Sequence, residues 1–336
     1  MKIAVVHEQI IAGRPDSEDT LDELNVVTQA LQNLGIKYET LTFGGGLKAL
    51  DELLALLSAF SPDVVFNLVE SHERGQRLFP AVCGLIELAG VPFTGSAYDA
   101  LLSTTNKIIA KSMMKAAGIA TPEWHVYYDG VIPSLRPGIP YIVKPSSEDA
   151  SVGIDDTSVF YDHEKLLASL PETFGIHKQP LLIEEFIKGR EINVSIIEHK
   201  DGELEVFPAA EIIFRDWPMD KPAIVNYDAK WLPQSFEYNN TLRRFNPEGI
   251  DIRDVRETAL ECWRVFGLRG YGRVDMRISD AGGLYVIEVN ANPCISGDSG
   301  YMSAAAESGY SGTDVVRMII EASLLTQNAQ SGQAID

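Results

Sequence analysis

The sequence predicts an α/β protein that opens with a helix-covered parallel sheet, and three observations carry that expectation. Short apolar runs alternate with helical patterns through the first hundred residues. A later apolar strand, Tyr141-Ile142-Val143-Lys144-Pro145, ends in a lysine. Near the C-terminus, a hairpin of β-branched residues carries Asp275, Glu288 and Asn290 where a plain core strand would hold apolar side chains.

Taken in order, residues 2–6 read as strand, 21–34 as helix, 38–43 as strand, 47–59 as helix, 63–69 as strand, 79–89 as helix and 91–94 as strand. That βαβαβαβ order implies parallel strands, because each crossover brings the chain back in the same direction. No G-x-G-x-x-G follows the first strand, so a dinucleotide site there is unsupported. Gly44-Gly45-Gly46 reads either as a phosphate nest or as a plain turn. Residues 107–117 read as a helix closed by Gly118, with Pro122 just beyond. Short strands and one helix (162–170) fill residues 120–180, and 181–198 begins a longer segment running to the hairpin. Between them, residues 215–246 are rich in Trp, Pro, Asn, Asp and Tyr without clear periodicity, the mark of a lid or binding loop. A last helix spans 312–325, and the polar tail from Thr326 is expected to fray. The expected domains are therefore 1–100, 101–180 and 181–336, the last carrying the lid at 215–246.

Composition narrows the function. The 336 residues are 45% hydrophobic and 23% charged, as in ordinary globular proteins. A net charge of −20 repels a nucleic-acid polyanion, while a local cluster of Lys and Arg can still hold a nucleotide. Cys83, Cys262 and Cys294 are too few and too scattered for a disulfide framework or a zinc site. The N-terminus is a short strand followed by charge rather than a signal peptide, and no apolar run approaches the ~20 residues that span a bilayer. A cytoplasmic protein with small-molecule partners and no membrane contact is the expectation.

The hairpin carries the chemistry. Side chains repeat every second residue along a strand, so Glu288 and Asn290 share a face. Asp275 comes from the neighbouring strand, across a turn at Asp280-Ala281-Gly282-Gly283. Three converging oxygen ligands suit a hard cation, and Mg²⁺ held by a few side chains plus substrate phosphates fits best. The competing reading, two polar strands facing solvent, conflicts with Val286, Ile287 and Val289, which look buried. Lys144, entering an apolar strand end, needs an anion. The segment after it, Ser146-Ser147-Glu148-Asp149-Ala150-Ser151-Val152-Gly153, is small and polar, as a phosphate-covering loop should be. Leu181-Leu182-Ile183-Glu184-Glu185-Phe186-Ile187 then breaks at Lys188-Gly189 and Glu191 resumes beyond, offering backbone groups to an adenine edge and a carboxylate to a ribose.

The ordered set — strand-Lys, polar loop, E-E-F-I-x-G-x-E, R-x-D, then E-x-N — resembles the ATP-grasp superfamily, and within it the D-alanine–D-alanine ligase family. Val91-Pro92-Phe93-Thr94-Gly95-Ser96, Asn106-Lys107 and Ala117-Gly118-Ile119-Ala120-Thr121-Pro122 extend the resemblance over roughly residues 60–325. It implies an N-terminal pre-ATP-grasp domain plus a two-domain ATP-grasp fold holding ATP. Lys107, Lys144 and Ser151 of the loop are implied at the phosphates, Glu184 and Ile187 at the adenine, and Glu191 at the ribose. Asp275, Glu288 and Asn290 are implied as ligands of two Mg²⁺ (or Mn²⁺) ions. Arg273, with a backbone N–H near Cys294, is implied at an oxyanion, Lys230 at the γ-phosphate, and Ser299 at a substrate carboxylate. The implied reaction is ATP-dependent joining of a carboxylate to an amine through an acyl phosphate, by a protein that resembles homodimers.

Four places depart from the family pattern. His7-Glu8-Gln9-Ile10-Ile11-Ala12-Gly13-Arg14 stands where the family has a glycine-rich turn, a glutamate and a serine. Asn67-Leu68-Val69-Glu70-Ser71 puts a glutamate in place of a histidine near the first substrate. Ala150 replaces a serine and Trp231 its tyrosine partner, and Cys294 replaces a glycine. The nucleotide half thus matches while the first-amino-acid half does not, so substrates other than two D-alanines are expected. Glu70 or Glu8 is expected either to meet a cationic amine or to serve as a solvated or capping residue. Arg277 is expected to touch phosphate or pair with Glu288, and Trp217 and Trp231 to pack the closed lid. Two alternatives stay open: an ATP-grasp ligase for another amino acid or small carboxylate, and a non-catalytic ATP-binding regulator. The second has no use for Arg273. His7, His72, His125, His163, His177 and His199 form no spaced cluster, and Cys294 has no histidine nearby in sequence to activate it as a nucleophile.

Overall fold

A computed structural model describes residues 1–44, 46–70, 77, 79–131 and 133–325. Gly45 of the triple-glycine turn, Ser71, His72 and the tail from Thr326 lie outside the described residues. At the N-terminus β1 (Lys2–Glu8), α1 (Pro15–Asn33), β2 (Lys37–Phe43), α2 (Gly46–Phe60) and β3 (Val64–Leu68) alternate as expected. The three strands are parallel in the order β2-β1-β3, and β1, buried from Ile3 onward, is central. α1 starts six residues earlier than the apolar pattern suggests, because Pro15 at its first turn needs no backbone donor. The fourth expected strand shrinks to one parallel bridge, Val65 to Phe93, flanked by Val65 N–H donating to Pro92 O. Pro92 itself has no N–H to extend the ladder, and Gly95, at φ +81°, turns the chain away.

α3 (Pro80–Leu88), α4 (Tyr98–Thr105) and α5 (Lys107–Ala117) follow. α4 is absent from the sequence reading; Asn106, with extended backbone, separates it from α5 and caps α5 by accepting from Ile108 and Ile109 N–H. The middle sheet is antiparallel and built from β4 (Trp124–Tyr127), β5 (Tyr141–Pro145), β6 (Val159–Phe160) and, after α6 (His163–His177), β7 (Leu181–Glu185) in the order β4-β7-β5-β6. β7 pairs inside this sheet, so the middle sheet runs through Glu185.

The last sheet takes β8 (Gly189–Glu198), β9 (Leu204–Val206) and β10 (Ala210–Phe214). The expected lid loop is not structureless. It contains α7 (Tyr227–Trp231), α8 (Phe236–Asn240) and β11 (Thr241–Phe245), and β11 pairs with β10 at the sheet edge. Then come α9 (Ile252–Phe266), β12 (Tyr271–Ser279), β13 (Leu284–Asn290), α10 (Gly300–Glu307) and α11 (Gly312–Ser323), giving the strand order β11-β10-β8-β12-β13 with β9 on β8. α9 shows how sequence becomes packing. Val255, Ala259, Cys262, Trp263 and Phe266 recur on one face and are buried, Asp251 caps the start and Gly267 ends the helix in the left-handed region. The larger of these, such as Val255 and Phe266, each contribute about 1.5–3 kcal/mol on full burial.

One irregularity in the last sheet decides which way the hairpin side chains point. Asp275 faces Glu288, but Met276 faces Val286, so Ile287 is an extra residue bulged out of β13. The bulge shifts the alternation by one position. Val286 and Val289 therefore both enter the core although three residues apart, while Glu288 and Asn290 stay on the opposite face. Ile287, expected in the core, lines a cavity instead.

Candidate active site

The inner faces of the middle and last sheets enclose a cavity of about 630 Å³. It is lined by Lys107, Lys144, Ser151, Glu184, Ile187, Glu191, Lys230, Arg273, Asp275, Glu288, Asn290 and Ser299, so all twelve candidate residues converge there. Its volume suits a ligand of ordinary cofactor size.

β12 and β13 build one wall. Their register sets Arg273 opposite Asn290 and Asp275 opposite Glu288, placing all four on the cavity face. Arg273 forks onto Asp275 through Nε and Nη2 at 2.8 and 2.9 Å. Asn290 Nδ2 donates to Asp275 Oδ2 at 3.2 Å, so its carbonyl oxygen remains available as a ligand. Asn193, from β8 on the other side, donates to Asp275 Oδ1 at 2.8 Å. Burial alone would raise Glu288, yet Lys107 at 2.8 Å outweighs it and holds the carboxyl far below its usual range. Two carboxylates and an amide oxygen on one face are the hard donors Mg²⁺ prefers, so these residues fit the ion.

The cations face them. Lys107, at the start of α5, reaches Glu148 O, Asp149 Oδ1 and Glu288 Oε1 at 2.6–2.8 Å. Burial would lower its pKa, but Asp149 and Glu288 reverse the effect and raise it. Lys144 Nζ donates to Glu184 Oε1 at 3.1 Å, and Lys111 Nζ, one turn after Lys107, sits 2.5 Å from Glu184 Oε2. Burial pulls Lys111 down to about 8 despite Glu184. Glu184, opposed by two lysines, stays below the usual carboxylate range although burial favours the neutral form. Lys230, in the last turn of α7, is lowered by burial and by Arg273, with Glu288 and Asp275 pulling the other way. Glu191 is raised by burial, with Arg277 opposite it on β12 drawing it back.

The loop after β5 and the lid close over this group. Ala150 and Ser151 both have positive φ, +55° and +61°, an uncommon conformation for two consecutive non-glycine residues. Ser151 Oγ donates to Val225 O at 2.7 Å and Trp231 Nε1 donates to Ala150 O at 2.9 Å, tying the loop to the lid. Lys221 of the lid pairs with Asp156 and Glu237. Trp217 packs between Phe214 and Phe236, at 4.8 and 5.5 Å between rings. Ile142, Ile154, Phe186 and Ile224 make an apolar slot beside Ile187.

Ser299 caps α10, accepting from Met302 N–H, and its hydroxyl proton remains available to an acceptor in the cavity. Arg243 of β11 lines the cavity nearby and donates to Asp298 O at 2.8 Å. Cys294 donates to Asp19 Oδ2, and burial raises its thiol well above the ordinary value, so it is no thiolate nucleophile.

The profile of the family described as D-ala D-ala ligase C-terminus matches residues 113–321. The chain belongs to the D-alanine–D-alanine ligase family. A D-alanine–D-alanine ligase of Syntrophotalea carbinolica is 30% identical over 322 residues, 95% of each chain. One from Geotalea uraniireducens is 32% identical over 249 residues, 73% of this chain and 74% of that one. In fold, the chain is similar to the Bacillus anthracis D-alanine–D-alanine ligase solved with ATP, at a TM-score of 0.76 and 22% identity, covering 98% of this chain and 99% of that one.

Two side chains of the cavity wall make contacts that the sequence alone does not show. Arg277 does not pair with Glu288; it lies opposite Glu191, donates to Gly189 O and Ala223 O, and stacks over Phe186 at 5.0 Å. Glu288 faces Asp275, and beyond the bulge at Ile287 the residue opposite Arg277 is Tyr285. Glu184 is held in two ion pairs at the cavity wall. Asn193, Lys111 and Arg243 are functional candidates that the sequence reading passed over. Asn193 follows Glu191 by two along β8, and Lys111 follows Lys107 by one helical turn, so both carried a spacing signal; Arg243, inside the apparently irregular lid, carried none.

Proposed function

We propose that this chain is an ATP-dependent carboxylate–amine ligase of the D-alanine–D-alanine ligase type, releasing ADP and phosphate. The observation that carries the reading is the one cavity in which Arg273, Asp275, Glu288 and Asn290 face Lys107, Lys144 and Lys230. Paired charges of both signs suit a metal-bound polyphosphate, and an arginine beyond the metal face suits a second, carbonyl-centred step.

In this reading the apolar slot beside Ile187 receives the adenine, Glu191 the ribose, and Lys107, Lys144 and Ser151 with its loop the phosphates. Glu184 orients Lys144 at the edge of that slot. Asp275, Glu288 and Asn290 would hold Mg²⁺, which when bound neutralises charge on the phosphate oxygens. Lys230 sits in the lid, where closure brings it to the γ-phosphate and excludes water that would hydrolyse an acyl phosphate. A substrate carboxylate attacks the γ-phosphorus to give acyl phosphate and ADP; an amine then attacks the acyl carbon and phosphate leaves. Arg273 stabilises the tetrahedral oxyanion, and Ser299 with Arg243 holds the carboxylate of the amine substrate. Among the described residues no helix is long and apolar enough to cross a membrane. We place the enzyme in the cytoplasm as a homodimer of three-domain protomers, the last two domains dividing after Glu185.

A coupled ADP-release assay with Mg²⁺ and a panel of amino-acid pairs, D-alanine included, tests the reading. ADP release that requires both a carboxylate and an amine is expected. Nucleotide binding with no substrate-dependent ADP would return the chain to the class of ATP-binding regulators.

A further inference from the structure

The cavity has a second end, walled by the N-terminal sheet, that the nucleotide does not use. Glu8 ends β1, Asp19 and Glu23 lie one turn apart on α1, and Glu70 comes two residues after β3. Glu8, Asp19 and Glu70 line the cavity. Glu8 accepts from Thr20 Oγ1 at 2.9 Å and from Glu70 N–H at 3.1 Å, Glu23 from Ile295 N–H at 2.7 Å, and Asp19 from the Cys294 thiol at 3.0 Å.

Glu70 differs from the other three. Its Oε1 is buried and has no hydrogen-bond partner. The charges that act on it most strongly are carboxylates: Glu23, Glu8, Asp19, and Asp149 of the phosphate loop. In the same cavity Asn292 Nδ2 is a buried donor without a partner, its Oδ1 already accepting from Tyr271 O–H at 2.7 Å. Leaving such a group unpaired costs about 1–3 kcal/mol, and more for a charged one. An orphan acceptor and an orphan donor in one cavity mark a place that a ligand bearing both kinds of group completes.

The ligand's chemistry follows from the sign of the charge. Among the described residues no three Asp, Glu, His or Cys side chains close on a point, so the protein alone offers no cage for a bare divalent ion here. An ammonium needs only one or two acceptors. A single α-ammonium accounts for one carboxylate, whereas Asp19 and Glu70 both line this end of the cavity. A second ammonium, on the side chain, supplies a donor for Glu70 Oε1, which has no partner among the described residues.

We infer that the first-substrate end of the cavity takes an amino acid with a cationic side chain, a diamino acid, whose side-chain ammonium donates to Glu70 Oε1. This deepens the ligase reading above and rests on it for the reaction, though not for the binding.

The test uses the full chain with ATP and Mg²⁺. Diaminopropionate, diaminobutyrate and ornithine of either hand are compared, as first substrate, with 2-aminobutyrate, norvaline and norleucine, which match them in length without the charge. At least one diamino acid should exceed its uncharged counterpart in kcat/KM by about tenfold or more, and Glu70→Gln should cut that ratio by about tenfold. If no diamino acid exceeds its counterpart, or if Glu70→Gln folds and leaves the ratio unchanged, the inference is overturned; should the variant not fold, the wild-type panel decides alone. If no pair releases ADP, the ligase reading fails, and calorimetry with a non-hydrolysable ATP analogue judges the inference separately. Diaminobutyrate binding that Glu70→Gln abolishes upholds it, and absence of binding to the wild type removes it.

Discussion

The two ends of the cavity handle charge in opposite ways. At the nucleotide end three carboxylates have a cation against them: Glu288 has Lys107, Glu184 has Lys111 and Lys144, and Asp275 has Arg273. At the other end carboxylates face carboxylates, and burial pushes Glu23 up to about 8 and Glu70 well above the usual range. A site that receives a polyanion together with its metal needs both signs on the protein, and these can neutralise one another beforehand. A site of one sign is complete only when the ligand brings the other.

The largest effect is expected where a buried pair is broken. Lys111→Met removes one of the two cations on Glu184, a side chain only 2% exposed, and breaking such a pair destabilises by roughly 3–5 kcal/mol. Lys115→Ala, in the exposed pair with Glu123, should stay within about 1 kcal/mol. Denaturant unfolding of both variants measures the contrast; equal midpoints would mean that pairing at the nucleotide end contributes no more than a surface contact. Arg273→Met comes next. It should lower kcat by about 10²–10³ while ATP binding is largely kept, because Arg273 acts on the acyl centre rather than the nucleotide. A fall confined to the KM for ATP would instead place Arg273 with the phosphate ligands.

How much of this was legible in the sequence depended on whether a residue's direction follows from its own strand. Glu288 and Asn290 share a face by simple alternation, and that held. Arg277 shares the cavity face with Asp275, as alternation predicts, but it does not pair with Glu288, and the extra residue Ile287 leaves Tyr285 opposite it. No local signal marks a bulge between two good β-formers. β11 escaped notice because Thr241-Leu242-Arg243-Arg244-Phe245 is an edge strand whose exposed arginines hide its period. Asp19 and Glu23 were invisible for a longer-range reason. An acidic pair on α1 is ordinary until the 294–296 segment docks against it and buries Glu23.

Asn193 offers a smaller test. Its amide fixes Asp275 from the neighbouring strand β8, and loss of such a support typically weakens metal binding 10–100-fold. Asn193→Ala should show this in Mn²⁺ titrations followed by magnetic resonance, independently of turnover. Unchanged Mn²⁺ affinity would show that Arg273 and Asn290 suffice to orient Asp275.

The smallest effect probes the acidic end directly. Glu23 is raised to about 8 chiefly by burial, with Asp19 and Glu8 repelling its charge and the Ile295 N–H bond opposing the rise. Its ordinary value is 4.5, so between about 4.5 and 8 the folded chain keeps a proton that the unfolded chain has released. The stability this gives is fully present below about 4.5 and is lost as pH rises through 8. Glu23→Gln retains a carbonyl to accept from Ile295 N–H and never ionises, so its Tm should lack that decline. At pH 8 the variant should melt above the wild type by roughly 3–6 °C, with the curves converging toward pH 5. Parallel curves across this range would mean that Glu23 ionises as readily inside the fold as outside it, and the contrast between the two ends of the cavity would then lie in geometry rather than in charge.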